Sequence, residues 1–242
     1  MNRRHLLVLP LAALALPAWA SGQDLESVQR QALRERGVGP IVFPEGEPAI
    51  WKALLDPAAR DQTVDGVIAR PESVNPIAFA PVSESLWDRG QRARAAFWLY
   101  LFQARTQPWM QGGPISEMLM EDYFSALLGR PENYFAARRA WNQRAAGVIN
   151  SWAMSDLDAV VALAGRVFSY ESRIPLYPGR NTYVSQEVWD RTVLEKRAEN
   201  VEGFRSAMAQ LDRETFYAER RKLGKYVGPW QDAGPPLPDE WR

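Results

Sequence analysis

No cysteine occurs anywhere in the 242 residues. A chain of this length without disulfides is held together by its buried apolar surface alone, and about 200 residues bury enough of it to do so. Hydrophobic residues make up 46% of the sequence, which supplies such a core. The missing residue types also narrow the chemistry. The one histidine is His5, within the segment read below as a removable leader. What remains has neither histidine nor cysteine. That excludes a Ser-His-Asp triad, a cysteine nucleophile, a histidine-ligated haem and a zinc site of nitrogen and sulfur ligands. Carboxylates, Tyr, Lys, Arg and Ser are left to carry any reaction, no catalytic motif stands out, and no metal or cofactor is expected.

The N-terminus runs from a basic pair, Arg3 and Arg4, into an apolar stretch from Leu6 to Leu16 interrupted by Pro10. Pro17 breaks that stretch, and Ala18-Trp19-Ala20 offers a small-x-small site before Ser21. This order is that of a signal peptide over residues 1–20, cleaved between Ala20 and Ser21, which sends the mature chain to the periplasm or outside the cell. The apolar stretch is too short to span a bilayer, and no other run approaches that length. The arginine pair leaves both the general secretory and the twin-arginine routes open. Loss of Arg3 and Arg4 takes the basic count from 29 to 27 against 29 acidic groups, a net charge of −2. Such a chain has no overall field to gather nucleic acid or anionic membrane.

Apolar spacing over the rest predicts an all-α protein: a multi-helix bundle or a short solenoid of helix hairpins, with at most a minor β element near Ile41 or Val67. Residues 21–227 form a single helical domain, and residues 228–242 a Pro/Trp-rich C-terminal tail, extended and non-helical. Helices are expected over Gly22–Arg36, Pro48–Leu55, Pro81–Arg89, Ala93–Arg105, Pro114–Leu128, Asp156–Tyr170, Ser185–Leu211 and Glu214–Leu223. Thr63–Pro71 reads as loop, with Asp65-Gly66 as its turn. Tyr134, Trp141 and Val148 fall seven apart and predict one helix seam. Ser155 and Asp158 have capping-box spacing, and Val161 joins Leu157, Val160, Ala164, Val167 and Phe168 on the buried face that follows. Gly147 and Gly165, inside helices, suggest a close helix crossing.

The stretch from Asn75 to Arg105 is the most informative. Leu86, Trp87, Gly90, Ala95 and Tyr100 place a glycine at a tight turn and a small residue five positions later. That order resembles one tetratricopeptide or Sel1-like helix hairpin, although no second copy follows at a fixed period. It implies that Leu86, Ala95, Leu99 and Phe102 are buried together with Val148 and Trp152, with Arg92 and Arg94 on the outer face. More broadly, the blocks NPIAFAP, AAFWLYLFQAR, GVINSWAMSDLDAV and YESRIPLYPGR resemble those of uncharacterised exported bacterial α-helical proteins. The resemblance brings no catalytic residue with it.

Three sets of residues are candidates for function. Glu117 and Glu121 lie four apart on one helix face beside Asp122, a pairing suited to acid-base hydrolysis of a cell-wall glycan and equally to a solvated helix edge. Asp156, Asp158 and Glu171, near Asn150, carry oxygen ligands suited to a hard cation, though no calcium-loop spacing is present. Trp109, Arg138, Trp141, Arg173, Tyr177 and Arg180 belong to an aromatic and arginine set of the kind enriched at protein interfaces. The function expected is an immunity- or adaptor-like module that binds another envelope protein, with a carboxylate-dependent glycan hydrolase or binder as the alternative.

Overall fold

The computed structural model describes residues 41–42, 45–111, 145–177, 180–181 and 185–241. Among them the chain forms eight α-helices: α1 Glu47–Leu55, α2 Arg60–Ala69, α3 Phe79–Asp88, α4 Arg92–Gln111, α5 Gly147–Ala153, α6 Leu157–Arg173, α7 Gln186–Gln210 and α8 Arg213–Lys222. The only pairing of strands among the described residues is a two-residue antiparallel ladder between β1, Ile41–Val42, and β2, Arg180–Asn181. The protein is all-α. The leader expected over residues 1–20, the helices expected at Gly22–Arg36 and Pro114–Leu128, and Tyr134 and Trp141 lie outside the described residues.

Helix α4 is the axis of the bundle, with α3, α5, α6 and α7 packed around it. Its stretch from Ala95 to Leu101 is apolar on every side. Ala95, Ala96, Phe97, Trp98, Leu99 and Leu101 are all completely buried, as a helix enclosed by four others requires. The hairpin that introduces it forms as the sequence predicts. Asn75 Oδ1 accepts from Ile77 N–H at 3.0 Å and caps the turn Pro76–Ala78 that leads into α3. Pro81 sits in the first turn of α3, where its missing N–H leaves no bond unmade. At the other end Gly90 has φ 70°, Gln91 N–H donates to Leu86 O and Gly90 N–H to Trp87 O, both at 2.9 Å. Those paired bonds form a Schellman cap, which requires a residue that tolerates the left-handed region.

Leu86, Ala95 and Leu99 are buried as expected, whereas Phe102 and Trp152 are half-buried. Ala95→Leu would press three more carbons into a filled interior. We expect a loss of about 1–3 kcal/mol, measured by urea denaturation.

Several local expectations change in the structure. Residues 63–69 belong to helix α2, Arg60–Ala69, rather than to a loop, because Val64 and Val67 lie three apart and both enter the core. Val148 is 45% exposed, while Ala145, Ile149 and Ala153, four apart, face inward. The seam is therefore turned by one residue from the one expected. Val161 is likewise exposed, and Leu163 is buried on that helix. Gly147 and Gly165 are both exposed, and a Cβ on Gly165 would meet nothing within 4 Å, so no close crossing explains it. Asp156, not Ser155, caps α6: its Oδ1 accepts from Asp158 N–H and Ala159 N–H, both at 3.0 Å. Aspartate fits this position, with its carboxylate at the positive end of the helix dipole.

The Pro/Trp-rich segment from Gly228 contains no α-helix, only a single 3-10 turn at Asp239–Trp241. It is packed along the α3–α4 hairpin and onto α6. Trp241 is 3% exposed and stacks on Phe97 with ring centroids 4.9 Å apart, edge-on to Trp98. Trp230 packs against Trp152 at 4.9 Å and donates its indole N–H to Ala153 O at 2.8 Å. Gly234 passes so close to the hairpin turn that a Cβ there would lie 2.5 Å from Gly90 O. Arg92 and Arg94 are consequently not idle outer-face residues. Arg94 donates to Pro236 O through Nε and Nη2, at 3.2 and 3.1 Å, and lies over the Trp241 ring. Arg92 pairs with Asp232 at 3.3 Å.

Candidate functional site

Two buried carboxylates organise the polar interior. Glu47, in the first turn of α1, is wholly buried. Its Oε1 accepts from Trp51 Nε1–H at 3.1 Å, one helical turn away, and from Asn75 N–H at 2.7 Å. Its Oε2 accepts from the Tyr177 hydroxyl, 130 positions along the chain. A single carboxylate thus ties α1 to the start of the hairpin and to the segment after α6. Accepting from several donors at once is what makes such a buried charge tolerable.

The second is Glu171, near the end of α6. Its Oε1 pairs with Arg105 Nη1 at 3.0 Å and its Oε2 with Arg197 Nε at 2.8 Å. Arg105 and Glu171 have side chains only 5% and 4% exposed, while Arg197 is at 17%. The Arg105 guanidinium also donates to Glu171 O, Ile174 O and Pro175 O, and so closes the unbonded C-terminal carbonyls of α6 and its exit. Burial pulls the Arg105 guanidinium below its ordinary value, and the Glu171 charge opposes that shift. An arginine nevertheless keeps its proton under such conditions.

Between α4, α6 and α7 lies a hollow lined by Tyr100, Gln103, Ala104, Val167, Asn200 and Phe204, with a volume of about 20 Å³. It accommodates one water-sized group, whereas pockets for organic ligands run to roughly 300 Å³ and more. Tyr100 donates to Asn150 Oδ1 at 3.0 Å, and burial pushes its phenol far above the ordinary value. The unfolded phenol ionises near pH 10 and the folded one does not, so unfolding sheds a proton above that pH. Stability contributed by Tyr100 is therefore complete below about pH 10 and falls as pH rises beyond it. Urea midpoints measured between pH 9 and 11 should drop less steeply in Tyr100→Phe than in the parent. The phenylalanine variant should also lose about 0.5–1.5 kcal/mol at neutral pH with the hydrogen bond.

The sequence-derived candidates do not gather in one place. Asp156 caps α6, Asp158 pairs with Arg213 at 2.5 Å, Glu171 is held by two arginines, and Asn150 receives Tyr100. The oxygen ligands proposed for a cation thus each engage partners of their own, and no group of His, Cys, Asp or Glu residues able to hold a metal occurs among the described residues. Tyr177 is buried against Glu47, whereas Arg173 is exposed on the last turn of α6. Arg173 donates from Nη2 to Glu240 O at 3.2 Å and lies over the Tyr170 ring. Trp109 lies on α4 and Arg180 in β2. Glu117, Glu121, Asp122, Arg138 and Trp141 lie outside the described residues.

Glu47, Arg105 and Arg197, which carry the polar interior, did not stand out in the sequence. Glu47 precedes the helix expected from Pro48, and the two arginines sit in expected helices among many other charged residues. Only the partners brought from distant positions distinguish them. No protein-family model matches this chain, and no curated protein and no solved structure is significantly similar to it.

Proposed function

We propose that the chain is an exported helical interaction module that binds another protein in the bacterial envelope. The basic, apolar and small-x-small order of its first 20 residues supports export. No helix among the described residues is long and apolar enough to cross a membrane. The observation that carries the binding reading is a rim of exposed apolar side chains where α5 meets the turn after α8. Leu223 is 69% exposed, and Tyr226 and Val148 are each 45% exposed. Arg220 Nη2 donates to both Ser151 O and Tyr226 O, at 2.8 and 3.1 Å, which fastens the turn to α5. Val148 is one helical turn before Ser151 on that helix. Gly224, at φ 67°, tightens the turn between Leu223 and Tyr226. With its backbone fastened to α5, the turn presents leucine and tyrosine beside the valine as apolar surface for a partner.

The test uses immobilised mature protein, residues 21–242, challenged with an envelope extract from its own cells. The parent should retain a defined partner, and the triple variant V148S, L223S, Y226S should lose it while melting within about 2 °C of the parent. Retention of the same partner by the triple variant, or no retention by the parent, would count against this reading.

A further inference from the structure

The segment Gly228–Trp241 lies in a channel built like a peptide receptor, with left-handed backbone at Asp232 and Gly234 that bends it to follow the helices. Most of its polar anchors are main-chain carbonyls held by the helices. Pro236 O accepts from Arg94, Pro238 O from Arg166 at 2.9 Å, Glu240 O from Arg173, and Gln231 O from the Trp152 indole at 2.9 Å. Ala233 O accepts from the backbone N–H of Ala93, at the start of α4, at 2.9 Å. Prolines at 229, 235, 236 and 238 lack an N–H and favour an extended backbone, so the segment needs few donors satisfied and loses little freedom on docking. Two indoles, Trp230 and Trp241, fill separate aromatic sites, one against Trp152 and one against Phe97 and Trp98. A proline-stiffened segment held against aromatic rings, here Trp152 on one side and Phe97 and Trp98 on the other, is the arrangement by which proline-rich peptides are held in trans. Gly228, where the strand departs, has φ 147°, a backbone state closed to other residues.

We propose that this channel is a peptide-binding site filled here by the chain's own strand, and that it takes the same strand from a second copy of the protein. Exchange keeps every channel contact and changes only the backbone at the Gly228 hinge, which is why the second copy is the occupant. This rests on the channel alone and not on the rim formed by Val148, Leu223 and Tyr226.

The probe is a fluorescein-labelled synthetic peptide of residues 228–242, followed by anisotropy against the full mature chain. The Trp241→Ala chain, whose own strand has lost one anchor, should bind it saturably. The parent should bind at least about tenfold more weakly, because its tethered strand competes at an effective concentration of about millimolar. A peptide with both tryptophans replaced by alanine should not bind. If Trp241→Ala has lost its helical circular dichroism, the unsubstituted peptide should restore it. A folded Trp241→Ala chain that ignores the peptide, or an unfolded one that is not restored, overturns the proposal. The second arm mixes Trp241→Ala, with a sound channel, and R94A/R166A, with a sound strand. Light scattering should show a mixed dimer that neither variant forms alone. Peptide binding without a mixed dimer would overturn the second copy as occupant, and the rim variant should behave as the parent in both arms.

Discussion

Replacing Trp241 by alanine is expected to destabilise the protein by about 3–5 kcal/mol, the range for truncating a buried Trp, and to lower its melting temperature by roughly 10 °C or more. Trp241 lies 144 positions beyond Phe97 in sequence yet stacks on it inside the bundle, and Trp98 and Tyr170 also flank its ring. Its removal opens a cavity between α4 and α6 that rigid helices cannot close. It also leaves Arg94 without the ring beneath its guanidinium. Trp230→Ala should cost less, since that indole is half-buried. Equilibrium urea unfolding of both variants, read by circular dichroism so that loss of the fluorophore does not interfere, gives the comparison. A Trp241→Ala chain as stable as the parent would mean that the segment from Gly228 does not lie in the core.

Glu171→Gln should have a comparable effect, a loss of about 3–5 kcal/mol. It keeps the shape of the side chain and removes the charge that Arg105 and Arg197 share. With Glu171 neutral, Arg105 remains charged at a 5% exposed position beside a second arginine. Arg105→Met should also destabilise, for a partly different reason: the carbonyls of Glu171, Ile174 and Pro175 lose their donor. In a double-mutant cycle the pair Arg105→Met, Glu171→Leu should cost less than the sum of its single changes by about 1–3 kcal/mol, because Arg105 and Glu171 are then removed together and only the more exposed Arg197 loses its carboxylate. Strict additivity in urea unfolding would show that the buried pair does not act as a unit.

The helices could be read from the chain because the signals that make them are local. Pro76 and Pro81 before an apolar run, Gly90 after it, Ser185 at a helix start and Asp212 before α8 act within one turn of their own positions. Where local cues conflicted, packing decided. Asp65-Gly66 has the look of a turn, yet the valines on either side of it at 64 and 67 bury on one face and carry the helix through. Val148 and Ile149 are equally apolar, and only the direction from which α4 approaches determines which of them is buried.

The candidate site was far less legible, and for the same reason. Tyr177 was picked out as an aromatic beside arginines, the signature of a binding surface. Its hydroxyl instead closes on Glu47, a residue no pattern distinguishes. By itself, then, the sequence determined the all-α class, the hairpin with its glycine cap, and the absence of cysteine and of any histidine after His5, since each depends on residue type or near-neighbour spacing. The tertiary structure alone decided that Glu47 and Glu171 are buried, which arginines neutralise the second, and that the proline-rich segment fills a channel of helices. Those outcomes depend on contacts between residues 26 to 144 positions apart, and no interaction within a helical turn encodes them.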